Sequence, residues 1–272
     1  MATVGFVFLV VAFGASIAAP VLLLVSHFAK NPTLGTLGRA AVALCAIALF
    51  VCCALLVYCF MTDDLSIMYV LEERTLSTDG LAWLYRLSGL WAGRAGSLLF
   101  WTFLIALFNG LILVTGLKRQ DDSRRSSLDA LAMAVVSVVI AIFCGVLLFS
   151  EGNMAFVPTP ADSFDASGEL TATASLHAMN PLLEHWAMAI HPPLLFVGYA
   201  GLTVPFGFAL AALILGDFSK DWVRRSQRFV LASWLFLGAG IGLGAVWAYG
   251  VLGWGGYWGW DPVENASLVP WL

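Results

Sequence analysis

Ala40-Ala-Val-Ala-Leu-Cys-Ala-Ile-Ala-Leu-Phe-Val-Cys-Cys-Ala-Leu-Leu-Val-Tyr-Cys-Phe-Met61 runs without one charged residue. A helix crossing the hydrocarbon core of a bilayer needs about 20 consecutive apolar residues, and this run supplies them. Five more runs of the same kind lie at Val4–Ser26, Ser97–Gly116, Ala130–Phe149, Pro193–Leu215 and Phe229–Val251, and a seventh begins at Ala266–Leu272. Apolar residues make up 61% of the chain and charged residues 11%, with a mean hydropathy of +0.91. A soluble domain is nearer half apolar and a quarter charged, so the expected fold is an all-α polytopic membrane protein. It should have six full transmembrane helices plus the start of a seventh. The first run lacks a basic leader and a well-placed small-residue cleavage site, so it reads as a retained helix.

Loop charge gives the orientation. Lys30 and Arg39, then Lys118, Arg119, Arg124 and Arg125, then Lys220, Arg224, Arg225 and Arg228 fall in alternate loops, ten of the thirteen basic residues. The positive-inside rule puts those loops in the cytoplasm. The opposite loops are acidic: Asp63, Asp64, Glu72, Glu73 and Asp79 in one, and Glu151, Asp162, Asp165, Glu169 and Glu184 in the other. The stretch Glu151–Ile190 has no Lys or Arg. The expected site is therefore the inner (cytoplasmic) membrane, with the acidic loops outside. A net charge of −4, unevenly spread, gives no reason to expect a nucleic-acid partner.

The five cysteines, Cys45, Cys52, Cys53, Cys59 and Cys144, all lie inside spans and form no Cys-x-x-Cys pair. Cys45, Cys52 and Cys59 recur every seven residues. This stripe could bind metal, but buried free cysteine usually packs as a small hydrophobe. Of the four histidines, His27 sits alone at the cytoplasmic edge, and His177, His185 and His191 lie in or at the end of the outer acidic loop. His191 precedes Pro192-Pro193, and proline suits the first turn of a helix, so His191 is expected at the mouth of the fifth span. A neutral imidazole there can offer a nitrogen to iron; the competing reading is a structural cap. Six residues place His185 about 240° around a helix from His191, so one continuous helix cannot aim both at one metal.

Near the C-terminal end, Trp254-Gly-Gly-Tyr-Trp-Gly-Trp-Asp-Pro-Val-Glu-Asn-Ala-Ser267 crowds Trp254, Tyr257, Trp258 and Trp260 among glycines. An interfacial aromatic belt is the plain explanation. Glycine-spaced rings also suit a large flat apolar ligand, because absent side chains let the backbone approach its plane, and the clustering favours that. The segment Gly250–Trp271 is expected as a non-spanning interfacial element on the outer face, since its glycines and Asp261-Pro262 interrupt a helix. Tyr85-Arg-Leu-Ser-Gly-Leu-Trp-Ala-Gly-Arg-Ala-Gly-Ser-Leu-Leu-Phe-Trp101 repeats the Trp and Gly pattern around Trp91. Arg86 and Arg94 there could meet carboxylates, such as the propionates of a haem, or snorkel to lipid phosphate.

These stretches resemble the WWD family of haem-handling membrane proteins in cytochrome c biogenesis. Asp261-Pro-Val-Glu-Asn-Ala-Ser267 followed by Pro270-Trp-Leu272 is similar to its CcmF/NrfE-type haem lyase branch. Tyr85 to Trp101, Asn180-Pro-Leu-Leu183, His191-Pro-Pro-Leu-Leu-Phe-Val-Gly-Tyr199 and Leu243-Gly-Ala-Val-Trp-Ala-Tyr249 agree. The resemblance spans roughly Tyr85 to Leu272, giving residues 1–84 as a two-helix region with the first outer loop and 85–272 as the haem-handling domain. It implies a haem lyase that takes b-type haem as substrate and presents it outside the membrane to apocytochrome c. A haem chaperone, other cytochrome c maturation subunits and membrane lipid would be partners. In the family the WWD segment cradles haem and outer-loop histidines are axial ligands. That implication falls here on His191 as the iron ligand, with Trp254, Tyr257, Trp258, Trp260, Asp261, Trp91 and Arg86 around the ring. The family usually carries an acidic residue where Ala95 stands. It also usually runs to about twice this length or more, so the second axial ligand and the haem b ligands are expected beyond Leu272, in a longer chain or a companion. The rival is a transporter with a Trp-Gly-lined substrate site in Gly- and Pro-interrupted helices. Against it, no charge is expected inside a span.

Overall fold

The structure, a computed structural model, describes residues 1–117, 123–253 and 256–272. Nine α-helices order the described chain: α1 (Ala2–Ala29), α2 (Pro32–Thr62), α3 (Met68–Glu73), α4 (Ala82–Ala92), α5 (Arg94–Leu117), α6 (Ser123–Phe149), α7 (Trp186–Leu215), α8 (Asp221–Val251) and α9 (Pro262–Trp271). Among the described residues no strand forms, only isolated bridges at Ile67–Pro158 and Phe164–Leu170. Six helices (α1, α2, α5, α6, α7 and α8) are long and apolar enough to cross a membrane, so the all-α polytopic fold stands. Each contains one of the six apolar runs but extends past it, because hydropathy marks only the part suited to lipid. Helix ends are set by caps. At α2 the Asn31 side chain accepts hydrogen bonds from the N–H groups of Thr33 and Leu34, and Pro32 fills the first helical position.

α1 packs on α2 and α6, α2 on α5, and α7 on α5 and α6. α8 packs mainly on α7 and forms the edge of the bundle. Small residues set that last contact. A Cβ added at Gly240 would stand 2.8 Å from Leu195 side-chain atoms, and one at Gly198 would stand 2.4 Å from Leu237 Cγ. Glycine thus brings the two backbones together, the usual basis of close helix pairing in lipid. Cys45, Cys52 and Cys59 are buried, and Cys52 Sγ donates to the Gly5 carbonyl at 3.6 Å, consistent with a packing stripe between α1 and α2.

The acidic loops join into one cap at one end of the bundle. Met68 N donates to the Val157 carbonyl at 2.9 Å, Met179 N to the Arg74 carbonyl at 2.8 Å, and Thr75 Oγ1 to Glu184. Tyr69 OH accepts from Gly93 N at 3.0 Å and donates to the Gly89 carbonyl at 2.9 Å, fixing the turn between α4 and α5. At the opposite end a charge pair is buried, where none was expected. Asp129 of α6 and Arg225 of α8 meet at 2.8 Å, with side chains only 5% and 9% exposed.

Candidate functional site

The first turns of α7 begin earlier than the prolines suggest. The helix starts at Trp186, with Pro192 and Pro193 inside it and not in the first turn. The reason is the cap: His185 Nδ1 accepts the Ala187 N–H at 3.2 Å and starts the helix at Trp186, ahead of His191. The two prolines then deprive only the Met188 and Ala189 carbonyls of helical partners, which helices in a bundle tolerate. His191 consequently sits in the second turn and is 8% exposed. Its Nδ1 lies 2.9 Å from the Ala187 carbonyl oxygen. A carbonyl can only accept, so Nδ1 carries the proton and the neutral ring keeps its lone pair on Nε2. A backbone carbonyl holding one ring nitrogen is the usual way a protein orients the other for a metal.

The Nε2 edge faces α8 across Gly244. A Cβ there would lie 3.3 Å from His191 Cδ2 and 3.7 Å from Nε2. The Trp247 ring lies against the imidazole, with centroids 5.5 Å apart and planes at 30°. Its Nε1–H donates to the Leu182 carbonyl at 3.2 Å, tying the histidine's neighbour to the outer cap.

The polar end of the Trp-rich segment has a structural cause. Asp261 is the N-cap of α9, and its Oδ1 accepts the Glu264 N–H at 2.7 Å. Glu264 Oε2 reaches back to the N–H groups of Asp261, at 3.3 Å, and Gly259, at 2.8 Å. With Pro262 in the first helical position this is a capping box, and it starts α9 four residues before Ala266. Asn265 Nδ2 donates to the Trp260 carbonyl at 3.2 Å, holding Trp260 in the left-handed region at φ 57°. Such a backbone is uncommon for a bulky residue and sets the turn that leads into α9.

His191, Trp258 and Asp261 therefore share one cavity with Trp247, Leu195 and Glu264, enclosing about 110 Å³. Trp258 Nε1 and Trp271 Nε1 are buried donors with no acceptor among the described residues. The other aromatics spread outward. Trp260 is 70% exposed and edge-on to Trp258 at 6.1 Å, while Tyr257 stacks on Tyr249 at 4.3 Å. Trp254 lies outside the described residues. Arg86 is elsewhere, paired with Asp63 at 2.9 Å, and Trp91 packs on Phe100, which meets Phe196 of α7; neither lines the cavity. Trp247 and the Ala187 carbonyl were not read from the sequence as site groups. Asp-x-x-Glu around a proline was a legible capping signal.

The cavity offers one neutral nitrogen donor and aromatic walls. Its two carboxylates are already engaged by backbone N–H groups, so neither stands ready as an acid or base. The family described as Cytochrome C assembly protein matches residues 91–272. The chain belongs to that family. It is 35% identical over 264 residues to the cytochrome c-type biogenesis protein CycK of Rhizobium meliloti (strain 1021), covering 97% of this chain and 36% of that protein. It is 37% identical over 245 residues to NrfE of Haemophilus influenzae, covering 90% of this chain and 35% of that protein. The solved structure of the cytochrome c haem lyase CcmF matches with a TM-score of 0.75 and 29% identity, over 99% of this chain and 40% of that one. This member of the cytochrome c assembly family thus spans about a third of the length of the curated relatives it matches.

Proposed function

We propose that this chain binds b-type haem as a substrate at the outer face of the inner membrane and positions it for thioether attachment to apocytochrome c. The observation that carries the proposal is His191: its Nδ1 is held by the Ala187 carbonyl, its Nε2 edge faces Gly244, and both residues line a cavity shared with Trp247 and Trp258. The donor set fits haem, since a neutral imidazole in apolar surroundings is an ordinary axial ligand. In the attachment each cysteine thiol of the apocytochrome adds across a vinyl double bond. A carbon–sulfur bond forms, the thiol proton ends on the neighbouring vinyl carbon, and nothing leaves. His191 would hold the iron, and Trp258, Trp260, Tyr257 and Trp254 would flank the ring, so that the chain contributes orientation. Asp261 would shape the cradle as the cap of α9. Arg86 could reach a propionate only by leaving Asp63, and Trp91 would act from the core behind α7. The enclosed 110 Å³ is small beside the roughly 300–1,000 Å³ of a typical cofactor site, so these residues would form one wall of the haem site. Haem-handling function would rest on residues 85–272, with 1–84 as support. A haem chaperone and other maturation subunits would supply and receive the substrate.

Two outcomes are expected. Each well-placed aromatic contact contributes on the order of 1 kcal/mol beyond burial, about a fivefold effect on binding. Trp258→Ala should therefore lower haem retention about fivefold, with smaller losses for Tyr257→Ala, Trp260→Ala and Trp254→Ala. Unchanged retention and cytochrome yield in all four, at normal protein levels, contradicts the cradle. Second, a membrane-impermeant thiol reagent added from outside should label Ser163→Cys but not Ser126→Cys. The reverse pattern refutes the proposed orientation.

A further inference from the structure

At the end of the bundle opposite the acidic cap, a second cavity of about 560 Å³ opens between the C-terminus of α1, the N-terminus of α2 and the N-terminal part of α6. Among the described residues its walls carry three basic side chains, His27, Lys30 and Arg39, with the hydroxyl of Ser126, and no Asp or Glu. Among the described residues no carboxylate lies within ion-pair distance of Lys30 or Arg39. The start of α2 does not supply the positive field, because the Asn31 side chain already takes the first-turn N–H groups of Thr33 and Leu34. Lys30 is instead held at the rim by a left-handed turn, φ 52°, closed by Asn31 N donating to the Ser26 carbonyl at 3.1 Å. Gly35 leaves the space beside Arg39: a Cβ there would stand 3.9 Å from Nη2. The floor is apolar, formed by Leu23 and Ala130, and Phe28 and Leu37 nearby in sequence are 70% and 52% exposed.

We infer that this cavity is a binding site for the phosphodiester headgroup of an anionic phospholipid. Lys30 and Arg39 neutralise the phosphate and Ser126 donates to it, while the apolar floor continues into the acyl region. A free phosphate shares the headgroup chemistry. The lipid is favoured because the cavity lies at the ends of membrane-crossing helices and descends onto apolar side chains, and basic pockets between such helices recognise anionic headgroups.

The test uses the full chain in detergent, with short-chain phosphatidylglycerol, short-chain phosphatidylcholine and inorganic phosphate as probes, read by native mass spectrometry and by the shift in thermal unfolding. Phosphatidylglycerol should be retained and stabilising, more weakly at high salt, while phosphatidylcholine and inorganic phosphate should have little effect. The double variant Lys30→Gln/Arg39→Gln should weaken phosphatidylglycerol binding about thirtyfold, at roughly 1 kcal/mol per charge and 1.4 kcal/mol per tenfold. Lys220→Gln, at the same end but outside the cavity, should bind like the parent. Equal binding of phosphatidylcholine, equal stabilisation by inorganic phosphate, or a folded double variant that binds like the parent each overturns the proposal. If the double variant does not fold, the parent decides: phosphatidylglycerol binding unaffected by salt overturns the site.

Discussion

Replacing His191 by Ala should lower the yield of mature cytochrome c at least about a hundredfold in cells that depend on this protein. Loss of a partner that merely orients a metal-bound histidine costs 10–100-fold, and loss of the ligand itself should cost no less. Added imidazole should restore part of the activity, because the space left beside Gly244 and Trp247 still offers a ligand position. His185→Ala removes a cap bond to Ala187, an effect on the order of 1 kcal/mol on the start of α7, and should leave attachment nearly intact. His27 lines the cavity at the other end of the bundle, and its replacement should leave attachment unaffected. Should His191→Ala mature cytochrome c like the parent while His185→Ala fails, the ligand has been assigned to the wrong histidine.

Arg225→Met should destabilise the protein by about 3–5 kcal/mol, the usual consequence of removing one partner of a buried ion pair. Asp129 and Arg225 meet at 2.8 Å with both side chains nearly removed from solvent, and a Cβ at Gly116 would stand 2.9 Å from Asp129 Oδ2. Replacing both, as Asp129→Leu/Arg225→Met, should recover most of that loss, because a well-packed apolar pair avoids the desolvation of two charges. Thermal unfolding in detergent measures the three variants. If Arg225→Met costs no more than the 0–1 kcal/mol of an exposed ion pair, water reaches the pair and the burial assigned to it is wrong.

The long apolar runs were legible because membrane helices must satisfy their backbone internally and be apolar over a bilayer's thickness, so length and composition suffice. Ala40–Met61 reads as a span from its residues alone. Helix ends were less legible. α7 begins at Trp186 through a histidine cap, whereas Pro192-Pro193 looked like a first turn. The partial site had a similar fate. His191, Trp258 and Asp261 were identified and do meet, and the Asp261–Glu264 capping box was available in the pattern although Asp261 was placed only around the ring. Trp247 was not identified as a site residue, because its role depends on the tertiary approach of α8 to α7 through Gly240 and Gly244 and on the reach to Leu182. Arg86 looked like a carboxylate binder from sequence, and the carboxylate it holds is Asp63. The buried Asp129–Arg225 pair is a contact between residues far apart in the chain, each at the polar edge of an apolar run, and neither edge alone announces burial.

The visible absorption spectrum of the protein, purified with haem available, tests most directly whether His191 holds the iron. The parent protein should show a Soret band from bound haem, and His191→Ala should shift or abolish it while His185→Ala leaves it in place. A colourless parent protein, or a Soret band identical in parent and His191→Ala, contradicts the assignment.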